Sequence, residues 1–208
     1  MLHVIDHPLI TMKLNMMRDE RTNSKDFRTL LDEISSLMTY EVFKDLKLHA
    51  TGKKITTPVG ATIDKLGLDY NIVIVPVLRA GLGMSKGVTD MLPTARIGHI
   101  GVYRDETTLK PVEYFCKIPK IDNPLVLVCD PMIATGGSAS DAISTLKKKG
   151  YNNIRLLNLV GVRTGIDNVM KNHPDVDIYI AAIDEKLNDK GYILPGLGDA
   201  GDRIFGTF

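Results

Sequence analysis

The segment Leu125 to Ala139, LVLVCDPMIATGGSA, constrains the fold of this chain more than any other. Leu125, Val126, Leu127, Val128 and Cys129 form an unbroken apolar run, the pattern of a central parallel strand covered on both faces rather than of a half-exposed one. Asp130 ends that run abruptly. Thr135, Gly136, Gly137 and Ser138 then bring two hydroxyls and two residues without side chains, so successive backbone N–H groups can close on an anion at a helix N-terminus. A strand, an anion-sized cradle and a helix in that order point to an α/β fold with its ligand at the strand's C-terminal end.

The flanking sequence carries the same rhythm. From Asn71 onward strand-like and helix-like stretches alternate: Ile72 to Leu78, a helix near Leu82 to Met91, Ile97 to Tyr103, Leu125 to Cys129 and a helix from Gly137 to Lys149. Ile154 to Val160, a short helix from Thr164 to Pro174, and Val176 to Ile183 complete it, which implies right-handed crossovers and a mostly parallel central sheet flanked by helices. Before the sheet, Phe27, Leu30, Leu31, Ile34, Leu37, Met38, Val42 and Leu46 recur at three- and four-residue spacing, predicting an amphipathic helix capped by Asn23 or Ser24. Thr57 and Pro58 read as the cap and first turn of a second helix closed by Gly67, with Val59, Ile63 and Leu66 on one face. RDETTLKPVEYF, between Tyr103 and Cys116, reads as a projecting β-hairpin flap. The last 25 residues hold five glycines with no regular period, yet are too rich in Tyr and Phe for a fraying tail, so an ordered, glycine-shaped segment is expected there.

Bulk properties exclude several function classes. The 208 residues suffice for one core and contain no linker or repeat, so one domain is expected. Lys plus Arg total 26 against 25 Asp plus Glu, which leaves no electrostatic footprint for nucleic acid. No apolar stretch approaches the roughly 20 residues needed to span a bilayer, and no export signal is legible. Cys116 and Cys129 lie in apolar runs as small hydrophobes, which suits a reducing, cytoplasmic setting. His3, His7, His49, His99 and His173 show no metal-ligand spacing, and no Ser/His/Asp or Cys/His order stands out. No Lys precedes Ser138 as a Walker loop requires, and no G-x-G-x-x-G follows the strand as dinucleotide binding requires.

An apolar strand, an acid and then Ala-Thr-Gly-Gly-Ser is the order with which type I phosphoribosyltransferases bind 5-phosphoribosyl 1-diphosphate (PRPP), and the chain resembles them. PVLRAGLGM (Pro76 to Met84), YRDE (Tyr103 to Glu106) and GYILPGLGDAGDR (Gly191 to Arg203) narrow the resemblance to the uracil phosphoribosyltransferase family. It runs essentially end to end, through HPLI at His7, MRDERT at Met17 and FRTLLDEI at Phe27. The resemblance implies transfer of phosphoribose from PRPP to uracil, giving UMP and diphosphate in pyrimidine salvage.

It also implies a division of labour. PRPP falls to Arg79, Arg104, Asp130, Pro131, Met132, Ile133, Ala134, Thr135, Gly136, Gly137, Ser138 and Asp199, and uracil to the backbone of Ile193, Gly198, Asp199 and Ala200. Arg79, Arg104, Asp130 and Asp199 are the expected catalytic residues: the two arginines on diphosphate, with Arg104 on the closing flap, Asp130 on the ribose hydroxyls and Asp199 beside the base. Where the wider superfamily often has a second acid, this chain has Pro131, so Mg²⁺ is expected to ride on the diphosphate with no dedicated protein metal site. A homo-oligomer is expected, a dimer by default and a tetramer as the larger alternative, with the long N-terminal helix at its interface. Some relatives that resemble this chain respond to GTP as larger assemblies, so the resemblance implies GTP binding with allosteric activation, which no residue of the sequence decides. The competing class is a PRPP- or UMP-sensing RNA-binding regulator on the same fold, against which the near-neutral charge weighs.

Overall fold

The computed structural model describes residues 1–104 and 111–207. Its centre is a sheet of β4 (Ile72–Leu78), β6 (His99–Arg104), β7 (Pro111–Lys117), β8 (Leu125–Cys129), β10 (Ile154–Val162), β11 (Asp177–Asp184) and β1 (Leu2–Val4). They lie in the order β1-β11-β10-β8-β4-β6-β7. Every neighbouring pair on that path is parallel except β6 with β7, the flanks of the expected hairpin flap. Two short strands extend it: β5 (Arg96–Ile97) pairs with β4, and β9 (Met132–Ile133) pairs with β10.

Both faces of the sheet are covered, which is why its strands read as continuous apolar runs. In β8, Leu127 and Cys129 join a core under α1 (Pro8–Arg18), α2 (Ser24–Val42), α3 (Leu82–Met91) and α6 (Ala200–Phe205). Val126 and Val128 face the opposite core, under α4 (Gly137–Lys148) and α5 (Arg163–Asn172). The α2 helix starts where its cap predicts, with the Asn23 side chain accepting from Asp26 N–H at 3.0 Å. It ends at Val42 rather than Leu46, where buried Arg155 donates to the Val42 carbonyl and grips Asp45 with two bonds of 2.8 Å. The apolar face of α2 is spent on this chain's own core, Phe27, Leu31, Ile34 and Met38 being almost fully buried. That burial removes the reason for placing this helix at a subunit interface, because its apolar face needs no second chain to cover it.

A second correction concerns residues 57–67. No helix forms there: β2 (Leu48–Thr56) and β3 (Thr62–Leu68) make an antiparallel two-stranded arm in which nearly every residue is exposed. Thr57 N–H donates to Ala61 O and Gly60 N–H to Thr57 O, so Thr57-Pro58-Val59-Gly60 is the turn between the strands. Pro in second place and a glycine at φ 84° serve a turn as well as they serve helix punctuation. The β-branched Ile55, Thr56, Thr62 and Ile63 then favour strands.

Past β11 the chain is ordered, as its glycines suggest. β12 (Lys186–Leu187) pairs with β13 (Ile193–Leu194), and Gly191, Gly196, Gly198 and Gly206 all take positive φ. The short α6 that follows has no counterpart in the sequence reading, and neither do β1 and α1. Arg18 holds the segment down: it binds Asp184 at 2.7 and 2.8 Å and donates to Gly196 O, while Gly196 N–H returns a bond to Asp184.

Candidate functional site

The strand order reverses beside β4: the chain runs from β4 outward to β6, then returns to β8 on the other flank and continues to β10 and β11. In open α/β sheets such a reversal opens a crevice at the strands' C-terminal ends. Pro76 pairs with Cys129 across β4 and β8, so Arg79, three residues on, and Asp130, one residue on, lie at that same edge. Gly81 lets the two loops meet, because a Cβ there would overlap Cys129 O and Val77 N.

Asp130 is held on both sides. Asn158 of β10, fully buried, donates to its backbone carbonyl at 2.6 Å, and its carboxylate accepts from Met132 N–H. The carboxyl keeps one partly open face, yet desolvation by the surrounding strands pushes it up to about 7. Next, buried Pro131 turns its carbonyl onto β10, accepting from Leu159 N–H at 2.9 Å and Val160 N–H at 3.1 Å, and Met132 and Ile133 pair with Val160 and Gly161. The floor of the loop is thus sewn to β10.

From Ala134 to Ser138 the loop opens. Gly136 takes the left-handed region at φ 78° and stands at the N-cap of α4, where no side chain caps the helix. The first backbone N–H of α4 to reach a carbonyl is that of Ser140, on Gly136 O at 3.0 Å. Among the described residues the donors before it are open, apart from a 3.4 Å contact of Gly137 N–H to Thr135 Oγ1. Open donors, the helix dipole and the exposed Thr135 and Ser138 form an anion cradle beside Asp130.

Arg79 is exposed, its guanidinium 4.0 Å from the Asp202 carboxylate and 5.7 Å from the centre of the Phe205 ring, so α6 lies against the diphosphate candidate. Beside α6 a cleft of about 290 Å³ is lined by Arg18, Glu20, Leu197, Gly198, Asp199 and Asp202 among others. Gly198 and Asp199 therefore line an open space, whereas Ile193 and Ala200 turn their side chains into the core and leave only backbone for a ligand. Asp199 also caps α6, accepting from Asp202 N–H at 2.9 Å. Arg104 closes β6 opposite Pro111; its side chain, like the flap tip 105–110, lies outside the described residues.

A larger cleft of about 580 Å³ opens at the other end of the sheet, around Asn71, Arg96, Lys120 and Asp122. It lies where β4 and β8 begin, away from the cradle, so the crevice at their C-terminal ends is the better candidate. Several supports of the crevice carried no legible signal. Asn158 shares the apolar strand β10 with Arg155, and nothing in the sequence tells which of the two polar residues serves the crevice. Arg203, packed over Phe27, donates to the carbonyls of Met17, Asp19, Thr22 and Leu197 and ties the terminal segment to the α1–α2 connection.

The uracil phosphoribosyltransferase family model matches residues 4–207. Uracil phosphoribosyltransferase of Mycoplasma mobile is 58% identical over 208 residues, covering all of both chains. Among solved structures, the AQ2163 protein from Aquifex aeolicus superposes with a TM-score of 0.91 at 34% identity, over 99% of this chain and 98% of that one. A hypoxanthine phosphoribosyltransferase from Trypanosoma cruzi shares the fold at a TM-score of 0.51 and 14% identity, over 82% of this chain and 85% of that one. The reversal in strand order, the acid-then-cradle loop and the glycine-shaped end thus belong to a type I phosphoribosyltransferase fold, and the chain belongs to the uracil phosphoribosyltransferase family.

Proposed function

We propose that residues 1–208 act as one phosphoribosyltransferase domain that transfers phosphoribose from PRPP to uracil, releasing diphosphate and UMP. The observation that carries this reading is the uncapped N-terminus of α4 beside Asp130 and across the crevice from Arg79. A 5-phosphate at Thr135 to Ser138 meets the open N–H donors and two hydroxyls, over a loop floor fixed by Pro131, Met132, Ile133 and Ala134. Asp130 then stands one strand end away to accept from the ribose hydroxyls. Uracil N1, its proton given up to water, attacks the anomeric carbon as the bond to diphosphate breaks, and positive charge builds on the ribose ring. Arg79, with Arg104 from the flap, neutralises the charge developing on diphosphate.

Among the described residues no three His, Cys, Asp or Glu side chains gather as ligands for a metal ion. A single acid at the cradle fits Mg²⁺ carried on PRPP, with Asp130 facing its water shell, and bound there the ion would add positive charge opposite the leaving diphosphate. The backbone of Ile193, Gly198, Asp199 and Ala200 reads the edge of uracil; cytosine swaps an acceptor for a donor and mispairs there, at roughly 1 to 3 kcal/mol per group. The cap bond from Asp199 to Asp202 N–H gives that carboxylate a structural task as well, which favours uracil's own acidity over a general base. The setting is cytoplasmic and the assembly a homodimer, with GTP activation and a tetramer as the further family features to test. Incubation with PRPP, Mg²⁺ and labelled uracil is expected to yield UMP, with no product from hypoxanthine or orotate. Absence of UMP overturns the assignment.

A further inference from the structure

The outer wall of the anion cradle is α5, and the contact is close. A Cβ on Gly136 would overlap Gly165 O, and one on Gly165 would overlap Ala134 O. Beyond these glycines, α5 presents Asn168 and Asn172 four residues apart on one side. Asn168 Nδ2 donates to Thr135 O at 3.0 Å, and Asn168 Oδ1 accepts from Asn172 Nδ2 at 3.2 Å. The second bond fixes the amide's orientation, leaving its N–H₂ end for Thr135. Asn172 Nδ2 also reaches Ser140 Oγ at 3.2 Å, and His173 Nε2 lies 2.9 Å from Ser140 O and 3.1 Å from Ser140 Oγ. A ladder of polar side chains therefore runs down α5 and holds both ends of the cradle: the Thr135 peptide that enters it and the Ser140 residue that closes the first turn of α4.

A trans peptide points its C=O and its N–H in opposite directions. Tying Thr135 O to α5 accordingly turns Gly136 N–H away from α5, and that N–H has no partner among the described residues. We propose that Asn168 is a positioning residue for the 5-phosphate: by holding the Thr135 carbonyl it aims the Gly136 N–H at the anion before the substrate arrives. Without that hold the peptide is free to rotate, and part of the binding energy goes into restoring it.

The inference rests on the PRPP reading of this loop, so wild type is measured beside the variants. Asn168 is exposed, and Asn168→Ala is expected to leave the melting temperature, the KM for uracil and kcat near wild type. The KM for PRPP should rise about three- to tenfold, the scale of one net hydrogen bond. Asn168→Asp keeps the shape but sets a carboxylate against Thr135 O, and should raise the KM for PRPP further. An unchanged KM for PRPP in Asn168→Ala, with wild type active, overturns the inference alone. So does a parallel loss of kcat, uracil KM and melting temperature, which would mark a merely structural tie. A wild-type protein that neither binds PRPP nor forms UMP overturns the underlying reading instead.

Discussion

At the residue scale the site turns on two side chains in opposite situations. Arg79 is exposed and, among the described residues, its guanidinium is paired with Asp202 and Phe205 alone, so its removal should leave the fold intact. Arg79→Ala is expected to lower kcat by about 100-fold, the usual cost of losing a donor aimed at developing charge, with an unaltered unfolding curve. Steady-state kinetics with normal turnover would remove Arg79 from catalysis. Asp130 is the reverse, a carboxyl lifted from 3.8 to about 7 because its surroundings desolvate the charged form. Between those values the native state holds a proton that the unfolded chain has given up, so stability falls as pH rises from about 4 to about 7 and is level beyond. Three units would amount to about 4 kcal/mol, and the partly open face of the carboxyl reduces this to roughly 1 to 3 kcal/mol. Asp130→Asn should therefore melt higher than wild type at pH 8 and alike at pH 4, while losing PRPP turnover. A variant less stable at pH 8 would contradict that account. On the proposed reading, a Mg²⁺-bound PRPP would favour the ionised acid, and the wild-type KM for PRPP should then fall between pH 6 and 8.

At the scale of elements, the cradle depends on a backbone shape that glycine alone supplies cheaply. Gly136 sits at φ 78°, and a side chain there would both strain the left-handed turn and overlap Gly165 O. Gly136→Ala is expected to cost roughly 1 to 2 kcal/mol from the turn alone, lowering the melting temperature by about 3 to 8 °C. Gly137 has only Thr135 Oγ1 within reach of a Cβ, at 3.5 Å, and lies inside α4, so Gly137→Ala should leave the melting temperature almost unchanged. Equal losses in calorimetry would show that loop shape is not the controlling feature. This strand-loop-helix element was the most legible part of the sequence, because β8, buried on both faces, must be continuously apolar and the turn after it must hold glycines. The strand Ile72–Leu78 was readable for the same reason, and the helix Gly137–Lys148 from Ala139, Ile143 and Leu146 on one face with lysines at its end. The arm at 48–68 was not: Pro58 and Gly60 punctuate a turn with the residues that also begin and end helices, and the exposed strands have no buried face to impose a clean alternation. The short α6 escaped notice because its order comes from distant ties to Asp19 and Thr22 through Arg203 rather than from local periodicity.

At the scale of the molecule, an exposed apolar arm stands apart from both cores. β2 and β3 pair only with each other, and Leu48, Ile55, Ile63, Leu66 and Leu68 remain exposed on an arm that leaves the main sheet. Ile55 and Ile63 sit directly opposite one another, a cross-strand apolar pair open to water. An isolated two-stranded hairpin is only marginally stable in water and gains order when a third surface covers it. For the homodimer proposed above, this arm rather than α2 offers the exposed apolar surface. A second copy could cover two such arms through one two-fold axis, and a closed dimer removes both exposed patches together. Joint Ile55→Asp and Ile63→Asp substitutions place like charges in register, and the charged pair should resist covering by any partner. The expected result in sedimentation velocity is a dimer for wild type and a monomer for the double variant, with far-ultraviolet circular dichroism essentially unchanged because the main sheet and both cores lie elsewhere. A double variant that still sediments as a dimer would exclude the arm as the interface, and a monomeric wild type would exclude the dimer itself. Repeating the wild-type run with GTP tests the larger assembly: a shift toward a tetramer would show that nucleotide binding and association are linked.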